Sequence, residues 1–184
     1  MNFSTLTQKV LTDAGWFPNR STDISIIENQ LARAGVKSFD SARNFLSEFG
    51  NLILHPPIDP PPQVDFRGHI YFQPEFVSFD DRERQALETL AEEPVYPIGY
   101  TGVCLNLFIT PRGRFVCSDI DYLAFAVLGE TKEEALEVMC DGRYCRVGGV
   151  RLDAELKPAG TFPPFSRAPA ASAGETDADR ERLH

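Results

Sequence analysis

Any chemistry in this chain would have to be built from few parts: His55, His69 and His184, Cys104, Cys117, Cys140 and Cys145, and the Asp119-Ile120-Asp121 pair. A cysteine nucleophile would draw on Cys117 with His55 or His69, but no local motif joins them. If Ile109 pairs with Arg114 across a hairpin, Cys117 lies opposite Asn106 with Cys104 diagonal to it, the ordinary setting of small packing residues. Cys140 and Cys145 have no CxxC or HxxxH partner, so a zinc site lacks its four ligands. Metal-dependent transferases also use a DxD like Asp119/Asp121, yet no phosphate-binding glycine loop or second carboxylate cluster accompanies it. Walker, GxGxxG, GxSxG and HExxH strings are absent. The expectation is a binder, with no catalytic residue, no metal ligand and no cofactor.

The scaffold that holds these residues is outlined by apolar periodicity. Residues 1–51 predict three short helices, each followed by a glycine. Leu6, Val10 and Ala14 recur behind a Ser4 cap and before Gly15; Ile24, Ile27, Leu31 and Ala34 follow Asp23 or Thr22 and precede Gly35. Ala42, Phe45, Leu46 and Phe49 follow Ser38 or Ser41 and precede Gly50. From Leu52 the period becomes strand-like, and residues 52–54 and 70–72 flank a connection with five prolines between Pro56 and Pro62, read as a stiff extended loop.

Asp80 and Glu83 predict a capping box on a helix carrying Ala86, Leu87 and Leu90. Val103, Leu105, Leu107 and Ile109 alternate with Cys104, Asn106 and Phe108, which predicts a strand with one buried and one mixed face. Thr110-Pro111-Arg112-Gly113 predicts a turn, and residues 114–118 the returning strand. Thr131 and Glu134 repeat the capping pattern ahead of Ala135, Leu136, Val138 and Met139, and Gly142 ends that helix. Beyond Leu152 the chain is rich in Pro, Ala, Gly, Ser and charge and offers too little apolar surface to offset its ordering entropy. The expected domain is 1–152, with a disordered tail over 153–184.

With 27 Asp plus Glu against 18 Lys plus Arg in 184 residues, the chain carries a net charge of −9, of which −7 falls within residues 1–152. That sign repels phosphate, so nucleic acid is disfavoured as a direct partner and a protein with a basic surface is favoured. The N-terminal residues lack a signal-peptide pattern, and no apolar run approaches the ~20 residues that span a bilayer, so the expected compartment is the cytoplasm, away from the membrane, with reduced cysteines. Among 14 phenylalanines, Phe66, Phe72, Phe76 and Phe79 crowd the proline-rich region. Most should fill the core, while one or two left exposed would make interface anchors.

Gly15-Trp16-Phe17-Pro18-Asn19-Arg20 is the most specific string in the chain. Read structurally, it is a helix-ending glycine, a lone tryptophan over a small core, and an arginine able to hold carbonyls or a carboxylate. It is followed by Ala34-Gly35, Phe45-Leu46-Ser47-Glu48-Phe49-Gly50, Pro97-Ile98-Gly99, Arg112-Gly113-Arg114 and Glu133-Glu134-Ala135-Leu136. This order resembles the SUKH superfamily of bacterial immunity proteins, specifically its third subgroup, over about residues 5–142. The resemblance implies an α+β domain, helices on a mixed or largely antiparallel sheet, that binds a toxin of a polymorphic toxin system, commonly a nuclease or a nucleic-acid deaminase. It carries over no catalytic residue, and Trp16, Pro18, Arg20, Gly35, Phe49, Gly50, Gly99 and Gly113 read as architectural. The PPIDPPP connection and the tail depart from the compact pattern. The expected contact surface is Asp59, Asp65 and Glu75 around the proline-rich loop with Asp119, Asp121 and Tyr122 at the hairpin exit. A regulatory or scaffolding module of the same fold is the second reading.

Overall fold

A computed structural model describes residues 3–57, 68–77, 80–102, 105–119, 124–142 and 149–162. Three helices open the chain: α1 (Thr5–Asp13), α2 (Ser25–Arg33) and α3 (Asp40–Phe49). Then come β1 (Ile53–Leu54), β2 (Ile70–Tyr71), a single 3-10 turn (Pro74–Phe76) and α4 (Asp81–Ala91). The sheet continues with β3 (Tyr96–Thr101), β4 (Leu105–Ile109), β5 (Phe115–Asp119) and β6 (Ala124–Gly129), followed by α5 (Lys132–Cys140), β7 (Gly149–Leu152) and β8 (Pro158–Phe162). The strands form one antiparallel sheet in sequence order, β1 to β8, so each strand pairs with its neighbours in the chain. The fold is α+β, as expected. Its sheet runs past the predicted domain limit, since β8 lies beyond Asp153; the remainder of the expected tail, 163–184, is outside the described residues.

The sheet is covered on both faces. Leu107, Ile109, Phe115 and Cys117 point into a large core with α1, α2, α3 and α5, while Phe108, Val116 and Phe125 point the other way, against Leu87 and Ala91 of α4. The second face of β4 was expected to be mixed. Its composition is mixed, with Asn106 and its partner Ser118 beside Phe108 and Val116, yet the face is buried because α4 packs on it.

The β4–β5 register also differs from the expected one by a residue. Ile109 pairs with Phe115 and Cys117 with Leu107, while Asn106 faces Ser118. Thr110 and Arg114 close a three-residue loop: the Gly113 N–H donates to Thr110 O and the Thr110 N–H to Arg114 O, both at 2.9 Å. Gly113 sits at φ +87°, the left-handed position that such a loop requires and that glycine adopts without steric cost.

Caps follow the same local chemistry. Ser4 accepts from the Thr7 N–H at 3.2 Å, and Asp80 and Glu83 form both halves of a capping box. Thr131 accepts from the Glu134 N–H. The caps expected for α2 and α3 are not used: Asp23 accepts from Ser25 in a local turn, while Ser38 bonds Glu28 and Ser41 bonds the Thr110 carbonyl. Both serines are spent on tertiary contacts, which helix-start patterns do not register.

Candidate partner-binding surface

The Trp16–Arg20 string, Phe49 and Gly50 form one structural unit around the end of α3. An α-helix leaves its last four carbonyls without intrahelical donors. Here the loop after α1 supplies donors for two of them and for the residue beyond: Thr22 N–H donates to Ser47 O at 2.8 Å, and the Arg20 guanidinium donates to Glu48 O at 2.6 Å and to Gly50 O, just past the helix, at 2.9 Å. Pro18 and left-handed Asn19 (φ +63°) occupy the centre of a turn closed by Arg20 N–H on Phe17 O, and that turn aims Arg20 at the helix end. Burial pulls the Arg20 pKa below its ordinary value.

Trp16 is buried, stacks on Phe49 with ring centres 6.2 Å apart, and donates its indole N–H to Glu48 Oε1. Lys132 closes the other side of that carboxylate at 2.8 Å and lies over the Phe49 ring. Gly50 is not a left-handed stop. A Cβ there would run into the Leu46 carbonyl, and Asn51 takes the left-handed position instead.

Gly99 has a related role on β3. A Cβ there would strike the Tyr71 carbonyl of the neighbouring strand. The β3–β4 register slips between Pro97 and Gly99, leaving Ile98 as an extra residue, so Ile98 turns into the large core while Tyr100 turns to the opposite face. There Tyr100 stacks on Tyr71 at 4.8 Å and meets the edge of Phe76 at 6.4 Å. Tyr71 continues the row to His69, whose Nδ1 lies 3.2 Å from the Tyr71 hydroxyl, and His69 packs edge-on against His55. Burial, then Tyr71 and the Glu75 carboxylate, raise the Tyr100 pKa.

At the head of this row lies an open groove of about 670 Å³ between α2 and the 3-10 turn, lined by Asp23, Ile26, Gln30, Asn51, Glu75 and Phe76 among others. Ile26 is 72% exposed and Phe76 65%. Of the four phenylalanines crowded near the proline-rich loop, Phe76 is left outside the core and Phe72 is fully buried. Asp23 and Ile26 were not read as surface features. The available signal was that Ile26 falls off the Ile24, Ile27, Leu31 stripe.

Of the expected contact residues, Glu75 lines this groove and Asp119 ends β5, half-buried. By strand alternation Asp119 shares the face of Cys117, opposite to that of Tyr100. Asp59, Asp65, Asp121 and Tyr122 lie outside the described residues, as do Phe66, Phe79, Cys104 and Cys145. Cys117 is 4% exposed in the large core and Cys140 is fully buried, so neither offers a thiol to a substrate. Burial, with Glu137 and Asp141 adding to it, pushes the Cys140 thiol up to about 12. Among the described residues no three His, Cys, Asp or Glu side chains come together as a metal site. No helix described is long and apolar enough to cross a membrane.

The described residues form an α+β domain, an antiparallel sheet with α1, α2, α3 and α5 packed on one face and α4 on the other. Residues 3–142 match the family described as SUKH-3 immunity protein, and the chain belongs to that family. No curated protein and no solved structure matches it.

Proposed function

We propose that this chain binds and neutralises a cognate toxin of a polymorphic toxin system, covering its active site, and that the toxin is a nuclease or a nucleic-acid deaminase. The observation that carries the reading is family membership over residues 3–142, because immunity is what the family's description names. The charge supports it. A toxin that grips nucleic acid exposes a basic cleft, and an acidic inhibitor is steered towards such a cleft while it repels like-charged partners. Glu75 with Asp59 and Asp65 forms one proposed contact patch, and Asp119, Asp121 and Tyr122 the other. The encounter takes place in the cytoplasm of the cell that makes both proteins.

Binding of the purified chain to the toxin domain encoded by the adjacent open reading frame tests this, with association rates measured over a range of ionic strength. The expected result is tight binding whose association rate falls as salt rises, since screening removes the steering. Absence of binding at low salt would reject the reading.

A further inference from the structure

The grooves on the described surface are not alike in charge. One between α3 and the β4–β5 turn carries Arg112 and Lys132; one beside α4 carries Lys37 and Arg84; one against β8 carries Arg82 and Lys157. Four of these six cations are already held by acids of the same chain, Arg112 by Glu93, Lys132 by Glu48, Arg84 by Asp81 and Glu88, and Lys157 by Glu155. Among the described residues, the groove between α2 and Pro74–Phe76 is lined by no lysine or arginine. Its two carboxylates, Asp23 and Glu75, form no ion pair with any described residue. The same groove is lined by Ile26 and Phe76, the two most exposed large apolar side chains of the described residues.

Phe76 is held in place. Its edge rests on Tyr100, which is stacked on Tyr71, and the 3-10 turn beneath it is closed by Val77 N–H on Pro74 O at 3.1 Å. A pre-positioned aromatic loses little side-chain freedom on binding, and it is the kind of residue on which interface energy concentrates. Asp23 is fixed as well, its Oδ1 accepting the Ser25 N–H at 2.9 Å, which holds its pKa below the usual carboxylate range.

We infer that this groove is the anchor point for the toxin and that its occupant is a basic segment, which places an arginine or lysine against Asp23 and Glu75 and an apolar side chain on Ile26 and Phe76. The inference rests on the proposed immunity function. It narrows that reading to one place on the fold. Exposed acids without cation partners among the described residues supply the complement for the arginine, and the phenylalanine ring offers it a face for cation–π contact.

The test uses the full chain and the toxin domain of the adjacent open reading frame. Phe76→Ala, Glu75→Lys and Ile26→Asp are all exposed changes, and Asp13→Lys, exposed and not part of the groove lining, is a control of equal charge change to Glu75→Lys. Far-ultraviolet circular dichroism and thermal melts check folding. Each groove variant is expected to raise Kd at least tenfold, Glu75→Lys mainly through a slower association rate, while Asp13→Lys stays within about threefold. If the parent binds and the groove variants bind within twofold of it, the groove assignment is wrong and the immunity function stands. If the parent does not bind, both fall. A parent chain that is dimeric by light scattering and becomes monomeric with Phe76→Ala assigns the groove to a second copy, and overturns the proposal.

Discussion

Arg20 donates to the carbonyl oxygen of Glu48 at 2.6 Å, so a side chain in the first interhelical loop closes the C-terminal end of the third helix. With the second bond to Gly50 O and the Trp16 indole on the Glu48 carboxylate, a short sequence motif becomes a clamp on α3. Replacing Arg20 by alanine leaves two carbonyls without their charged donor, and is expected to destabilise the fold by about 2–3 kcal/mol. Urea denaturation measures it. Arg20→Lys should recover only part of the loss, because a single ammonium does not reproduce the two-pronged guanidinium.

Glycines at 99 and 113 should respond differently to the same substitution. A methyl at residue 99 meets the Tyr71 backbone, so Gly99→Ala forces β2 and β3 apart and should cost about 3 kcal/mol or more. At residue 113 a methyl meets nothing within 4 Å, and Gly113→Ala should cost only about 1 kcal/mol of left-handed strain. Equal losses in thermal melts would contradict the close β2–β3 approach.

Alkaline stability follows from two buried acids. Cys140 is raised from 9.0 to about 12 and Tyr96 from 10.0 to about 12, both chiefly by burial. Above the unfolded value of each group the unfolded chain has lost a proton that the native chain keeps. Stability is therefore complete below pH 9 and declines as pH rises from there towards 12, by up to ~1.4 kcal/mol per pH unit for each group. Cys140→Ala should move the onset of the decline from about pH 9 to about pH 10, read by denaturation at a series of pH values.

Tyr96 carries its hydroxyl into the core with no hydrogen-bond partner among the described residues. Tyr96→Phe removes a desolvated polar group and keeps the ring against Phe39, so the variant is expected to be at least as stable as the parent at neutral pH. A loss above about 1 kcal/mol would show that the hydroxyl is satisfied in solution.

Glu137 of α5 accepts from the Ser4 N–H and Oγ and from Thr7 Oγ1, at 2.6–2.7 Å, so one helix caps the start of another. Glu137→Ala should cost about 2 kcal/mol and raise amide hydrogen exchange in α1 well above that in β4 and β5.

Much of the scaffold was legible because it is locally encoded. The Ser4, Asp80 and Thr131 caps act within one turn of the residue that signals them, and Gly15 and Gly35 end α1 and α2 as their positions suggest. What was not legible depends on partners distant in the chain. Ser38 and Ser41 look like caps but bind Glu28 and Thr110; the second face of β4 looks mixed but meets α4; and the three-residue loop shifts the hairpin register by one. The last strand, β8, was read as tail because Pro158-Ala159-Gly160-Thr161-Phe162 has no alternation and gains order only by pairing with β7. At the groove, the crowded phenylalanines pointed to the region without distinguishing exposed Phe76 from buried Phe72, and the Asp23 and Ile26 contribution emerges only when α2 comes beside the 3-10 turn.

The central claim is tested most directly by survival. Cells expressing the toxin domain of the adjacent open reading frame from an inducible promoter are expected to stop growing, and co-expression of this chain is expected to restore colony counts to those of uninduced cells. Equal killing with and without the chain, at confirmed expression of both proteins, would contradict the account.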